Sequence, residues 1–127
     1  MSEVQIKRSD KQLTELRKLT SFFEEDSLMC EIGCYAGESS KVFLDSKKIK
    51  KFYAVDPWES GYDDNDSASF SNMIKVEEKF DEMTKGFDIV KLKMTFKDAF
   101  EKIPEMDIIY IVERKTHPSE CGWDVSD

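Results

Sequence analysis

The stretch CEIGCYAGESS, Cys30–Ser40, sets two glycines, Gly33 and Gly37, directly after an apolar run and directly before a polar one. A short apolar run closed by glycine reads as a buried strand more readily than as a helix, so LMCEIGC (28–34) is assigned to a strand. GESSKVFLDSKK (37–48) then suits a helix with Val42 and Phe43 turned inward. Strand, glycine turn and helix form the opening unit of an α/β layer.

The same alternation continues on both sides of this unit. Upstream, Leu13, Leu16, Leu19 and Phe23 recur at three and four residues within 4–23, the period of an amphipathic helix, with Ser9 or Asp10 placed to cap its start. Downstream, KFYAVDPW (51–58) reads as a strand stopped by Pro57, which supplies no ladder donor. The acidic, turn-rich 59–69 reads as an exposed loop, and 70–86 as a helix with Gly86 as its C-cap. FDIVKLKM (87–94) alternates like a strand at a sheet edge. FKDAFEKIP (96–104) reads as a short helix. MDIIYIV (106–112) is the most continuous apolar strand and is expected at the sheet centre. Phe22, Phe23, Phe43, Phe80 and Phe100 are expected in the core. Alternating strands and helices imply crossover connections, and therefore a parallel sheet covered on both faces.

Composition narrows the function. The 127 residues suffice for one domain, and nine Phe, four Tyr and two Trp give it the aromatic mass of a folded chain. A net charge of −8 argues against nucleic acid, and the short basic run KKIKK (47–51) reads as a solvated helix end. There is no signal-like N-terminus and no apolar run of membrane-spanning length, so a cytoplasmic protein is expected, with no membrane partner. Three cysteines without paired spacing and a single histidine, His117, make a metal site a poor expectation.

In an open parallel sheet, ligands bind outside the carboxyl ends of the strands, where the strand order reverses. The glycine turn lies at such an end. Gly33 can adopt backbone angles closed to other residues, and Gly37 removes a side chain at the helix start. Asp56 closes the next strand about two dozen residues later, where a carboxylate can accept both hydroxyls of a ribose. A dinucleotide site of the G-x-G-x-x-G kind has glycine where this chain has Tyr35, which disfavours NAD. A phosphate loop needs lysine where this chain has Glu38, which disfavours ATP.

EIGCYAGESS (31–40) followed by YAVDPW (53–58) resembles the acid-x-Gly-x-x-x-Gly motif and acidic second-strand end of class I S-adenosylmethionine-dependent methyltransferases, closest to small-molecule and sugar O-methyltransferase-like members. The likeness covers roughly 28–111 as a motif and a strand-helix rhythm. It implies an α/β, Rossmann-like doubly wound and mainly parallel sheet, with about the first four strands of the family fold. The expected organisation is an N-terminal amphipathic helix (1–27), a cofactor-binding core (28–112) and an irregular tail (113–127). It also implies S-adenosylmethionine as cofactor and a hydroxyl of a small molecule or sugar as acceptor. Glu31, Gly33, Cys34, Tyr35 and Gly37 would surround the methionine part, Asp56 would hold the ribose, and Pro57 or Trp58 would flank the adenine. Thr95 and Phe96 correspond to a second adenine contact. Ser39 and Ser40 would either donate to the cofactor carboxylate at a helix start or simply cap and pack that helix.

The acceptor end departs from the family. After IIYI the expected Asp-Gly-x-His is replaced by Val112, Glu113 and RKTH, which leaves His117 and Glu113 as candidate acid–base residues; a solvated tail histidine is the plainer reading of His117. Asp107 opens its strand and is expected at the wrong end of the sheet. The pattern fails after Ile111, as in a shortened or altered domain, a minimal cofactor-binding module, or a sheet completed by another subunit. An uncovered apolar edge predicts a homo-oligomer. The alternative to a methyltransferase is a non-catalytic nucleoside-binding or assembly module.

Overall fold

The computed structural model describes residues 9–59 and 67–112, of which 67–72 as backbone alone. Glu113, His117 and Cys121 lie outside the described residues, as does most of the acidic loop. The elements run α1 (Asp10–Thr20), β1 (Ser27–Ile32), α2 (Glu38–Asp45), β2 (Ile49–Val55), α3 (Ser67–Met83), β3 (Ile89–Leu92), α4 (Phe96–Ala99) with a 3-10 turn (Phe100–Lys102), and β4 (Ile108–Ile111).

The four strands form one sheet in the order β3-β2-β1-β4, with every neighbouring pair parallel. The protein is thus an α/β, Rossmann-like doubly wound fold. The order climbs outward from β1 to β3, then returns to the other side of β1, so the topological switch lies between β1 and β4.

Strand parity sorts the core into two layers. Met29, Phe52 and Ala54 face α1, α2 and α3 together with Leu16, Phe43, Val76 and Phe80. Phe43, Phe52 and Phe80 are fully buried, and each contributes about 1.5–3 kcal/mol of hydrophobic stabilisation. Cys30, Ile32 and Val55 face the opposite way and pack on Ala99, Phe96, Ile103 and Met106. That second face has only the short α4 and its following turn as cover among the described residues.

Helix α1 starts as the sequence indicates. The Ser9 hydroxyl accepts from the Gln12 amide at 3.1 Å, and the Gln12 side chain accepts from the Ser9 amide at 3.0 Å, a reciprocal capping box. Its buried residues are Leu16 and Thr20, flanked by the half-buried Leu13 and, just past the helix end, Phe23, while Leu19 is exposed. Thr20 is tolerated on the buried side because its hydroxyl donates to the Arg17 carbonyl at 2.6 Å.

Several expectations are corrected. Phe22 is 82% exposed because the helix has already ended and the chain turns, and Phe100 is 64% exposed on the 3-10 turn. Residues 47–51 do not form a helix end: α2 stops at Asp45, Lys47 takes a φ of 63°, and Ile49 opens β2. Strand β2 ends at Val55, before Asp56 and Pro57, and α3 begins at Ser67 and ends at Met83. Among the described strands β4 is an edge, not the centre; Ile109 is 56% and Ile111 is 41% exposed. An apolar run reports only that cover is needed, and strand order decides where the strand sits. The expected edge strand, β3, is indeed at the other edge. Asp107 lies at the amino end of β4, where its carboxylate accepts from the Leu28 amide at 2.8 Å.

Candidate functional site

The carboxyl ends of β1 and β2 deliver the glycine turn and Asp56 to one place. Backbone bonds set the frame: the Gly33 amide donates to the Val55 carbonyl at 2.8 Å, and the Val112 amide donates to the Ile32 carbonyl at 2.9 Å. The turn is therefore stitched to β2 on one side and faces the end of β4 on the other, at the switch point.

Both glycines are required by the fold itself. Gly33 has a φ of 94°, and a Cβ there would come within 3.2 Å of the Val112 carbonyl oxygen. Gly37 has a φ of 88°, and a Cβ there would meet Phe80 Cδ1 at 3.0 Å and Met83 Cβ at 3.3 Å. The side chain missing at Gly37 thus admits α3. This is tertiary packing that the local sequence does not express.

Glu31 is wholly buried at the end of β1. One carboxyl oxygen accepts from the Ser40 hydroxyl at 2.6 Å, and the other accepts a short bond from the Ser39 hydroxyl. A buried carboxyl group is tolerable only with such partners. These bonds tie the first turn of α2 to β1. Ser39 and Ser40 are buried too, so both serines pack and anchor their helix. Cys34 is 2% exposed and its thiol donates to the Glu31 carbonyl at 3.3 Å. Burial pushes the Cys34 thiol well above its ordinary pKa, and the charges of Glu31 and Asp56 add to the effect. Burial likewise pushes Cys30 up to about 12, with Glu31 contributing. Neither buried thiol is a nucleophile at neutral pH.

Asp56, 1% exposed, links the two halves of the motif. One oxygen accepts from the Tyr35 amide at 2.9 Å and the other from the Trp58 amide at 2.7 Å. The indole N–H of Trp58 then donates to the Tyr35 carbonyl at 2.8 Å. Tyr35 and Trp58 have φ of 53° and 48°, a left-handed conformation that costs bulky residues about 1–3 kcal/mol each. The ring of bonds through Asp56 holds both residues in it.

Trp58 is 4% exposed, and Pro57 is buried as well. The indole lies 4.9 Å from the Phe80 ring, centroid to centroid, with the Lys91 ammonium over it at 5.1 Å. Lys91 in turn contacts Glu77 at 2.5 Å and Asp81 at 2.8 Å. Burial works to raise the Glu77 carboxyl, but bonds from Lys91 and Lys93 outweigh it and hold Glu77 below the ordinary carboxylate range. Sequence reading missed Lys91 and Phe80 as neighbours of the turn. The period of two in β3 carries part of the signal, because Lys91 pairs with Ala54, which pairs with Glu31.

Thr95 and Phe96 are not brought to this cluster. Thr95 caps α4, accepting from the Asp98 amide at 3.3 Å, and Phe96 packs in the layer on the opposite face of the sheet. Among the described residues no group of three His, Cys, Asp or Glu gathers as a metal site. No described helix is long and apolar enough to cross a membrane. A groove of about 430 Å³ lies away from the Asp56 ring, between α1 and α2, with Leu13, Arg17, Lys41, Val42 and Met83 in its walls.

Neither a family model nor a curated protein matches the chain. Among solved structures, a crystal structure of E. coli MccB with MccA is similar at a TM-score of 0.44 and 13% identity, over 87% of this chain and 35% of that one. The chain thus spans about a third of the length of that structural neighbour.

Proposed function

We propose that the chain binds S-adenosylmethionine across the carboxyl ends of β1 and β2, as a methyltransferase or the cofactor-binding half of one, with a hydroxyl of a small molecule or sugar as acceptor. The observation that carries this reading is the bond from the Tyr35 amide to Asp56 at 2.9 Å. It joins the glycine turn and the acid of the second strand into one unit beside the switch point, where sheets of this class take their ligands. Gly37 caps α2 without a side-chain bond, and a helix start of that kind favours a cofactor carboxylate. In this reading the turn aligns an already activated methyl donor and excludes water, so positioning does more than any nucleophile.

A second reading has its own support. Asp56 is 1% exposed with each oxygen already accepting one backbone N–H bond, so holding a ribose requires the surrounding chain to open and uncover the remaining lone pairs. The acceptor end separately favours a nucleoside-binding or assembly module that keeps the fold without transfer chemistry, because Val112 and Glu113 stand where the resembled family has Asp-Gly. Calorimetric titration with S-adenosylmethionine and S-adenosylhomocysteine tests the shared premise. Saturable heat that weakens in Asp56→Ala is expected, and no heat in the native protein overturns the methyltransferase and nucleoside-binding readings alike. Methyl transfer to a panel of hydroxyl acceptors then separates them.

Two further statements belong to the same proposal. The buried, unpaired thiols of Cys30 and Cys34 fit a reducing compartment such as the cytoplasm. The exposed Ile109 and Ile111 on β4 fit self-association through that edge. Sedimentation is expected to show a dimer or larger species, and a clean monomer at high concentration rejects it.

A further inference from the structure

We propose that Trp58 is a positioning residue of the glycine turn, acting from the core through the Tyr35 carbonyl instead of stacking on a ligand. Its backbone amide and the Tyr35 amide share the Asp56 carboxylate, at 2.7 and 2.9 Å, and its indole closes the ring at 2.8 Å on the Tyr35 carbonyl. Both polar groups of the Tyr35 backbone are therefore gripped from the end of β2. A tryptophan that served as a stacking platform would present an open ring face. Here the indole is 4% exposed and rests against Phe80 and the Lys91 ammonium.

The same Phe80 ring meets the position where Gly37 would carry a Cβ, at 3.0 Å. Trp58 and Phe80 thus hold the turn at two points, Tyr35 and Gly37, and Lys91 fixes the indole through its bonds to Glu77 and Asp81. The left-handed φ of 48° at Trp58 is an outlier for so bulky a residue, and this grip supplies a reason for it.

The test has an arm that needs no ligand. Trp58→Phe keeps ring packing on Phe80 and deletes the indole N–H. Amide hydrogen exchange is expected to show protection at Tyr35 falling about tenfold, with Cys30 and Ala54 in the sheet unchanged. Unchanged protection at Tyr35, or an equal fall across the sheet as for a purely structural residue, overturns the proposal.

The second arm rests on the function proposed above and uses the native Trp58. In a Trp123→Phe background Trp58 is the single tryptophan, and its emission is followed during S-adenosylhomocysteine titration. Emission and acrylamide accessibility that stay constant at saturation support positioning from the core, whereas quenching by the bound adenine overturns it. If calorimetry shows no binding, the functional reading fails while the exchange arm still decides the role of Trp58. If Trp58→Phe does not fold, the emission of native Trp58 decides instead.

Discussion

Replacing Gly37 by alanine separates two costs that a glycine turn usually hides. At a φ of 88° an added Cβ enters the left-handed region, which costs an L-residue about 1–2 kcal/mol. That Cβ also meets Phe80 Cδ1 at 3.0 Å, with Met83 Cβ and the Phe80 backbone at 3.3 Å. Backbone cannot swing aside as a flexible side-chain end can, so overpacking adds about 1–3 kcal/mol. Gly86 is the matched control. Its φ is 91°, and nothing lies within 4 Å of its would-be Cβ. Gly86→Ala therefore carries the left-handed cost alone, and the gain from restricting the unfolded chain is common to both variants. Urea unfolding is expected to place Gly37→Ala below Gly86→Ala by about 1–3 kcal/mol, a large part of a marginal stability of about 5–15 kcal/mol. Equal losses, or a smaller loss at Gly37, would show that α3 does not press on the turn as described.

Three other outcomes follow from the same cluster. Ser40→Ala removes a donor to the buried Glu31 carboxyl, and chemical denaturation should record a loss of about 1.5–3 kcal/mol; an unchanged midpoint contradicts the anchoring role. Burial raises the Cys30 thiol from 9.0 to about 12, so its contribution is complete below pH 9.0 and is lost as pH rises through about 12, because the unfolded chain gives up the proton first. Thermal unfolding followed into alkali should therefore decline less steeply in Cys30→Ala, and superimposable profiles reject the assignment. Glu77 is held below the ordinary carboxylate range, so its ion pairs persist at neutral pH and fade only as pH falls through that lowered value. Lys91→Met is expected to remove most of this acid sensitivity, read from stability curves between neutral and acid pH.

What the sequence expressed well was local. The apolar run ending at Gly33, the turn to Gly37 and the helix after it are signalled by residue type, and all three appear where the motif places them. The alternation of strand and helix was sufficient for a parallel α/β sheet. Strand order is not local, and residue type along the chain does not express it. The run IIYI looked central because it is continuously apolar, yet it pairs only with β1 among the described strands. Burial of Trp58 was also invisible, since an aromatic after proline in a polar stretch looks like surface. Phe80 and Lys91, from elements later in the chain, approach it and help to put it in the core. Thr95 and Phe96 go elsewhere, whereas the residues that meet at the turn and at the end of β2 are legible as a list. The bonds among them, which give Asp56 and Trp58 structural duties, depend on the tertiary fold.

The most direct measurement is an amide-resolved magnetic resonance titration with S-adenosylhomocysteine. Amides of Gly33, Tyr35, Gly37 and Trp58 are expected to shift together and saturate at one occupancy, with Asp56→Ala weakening the effect. Silence at these amides at saturating ligand, or shifts confined to the groove beside Arg17 and Lys41, would contradict cofactor binding at the turn.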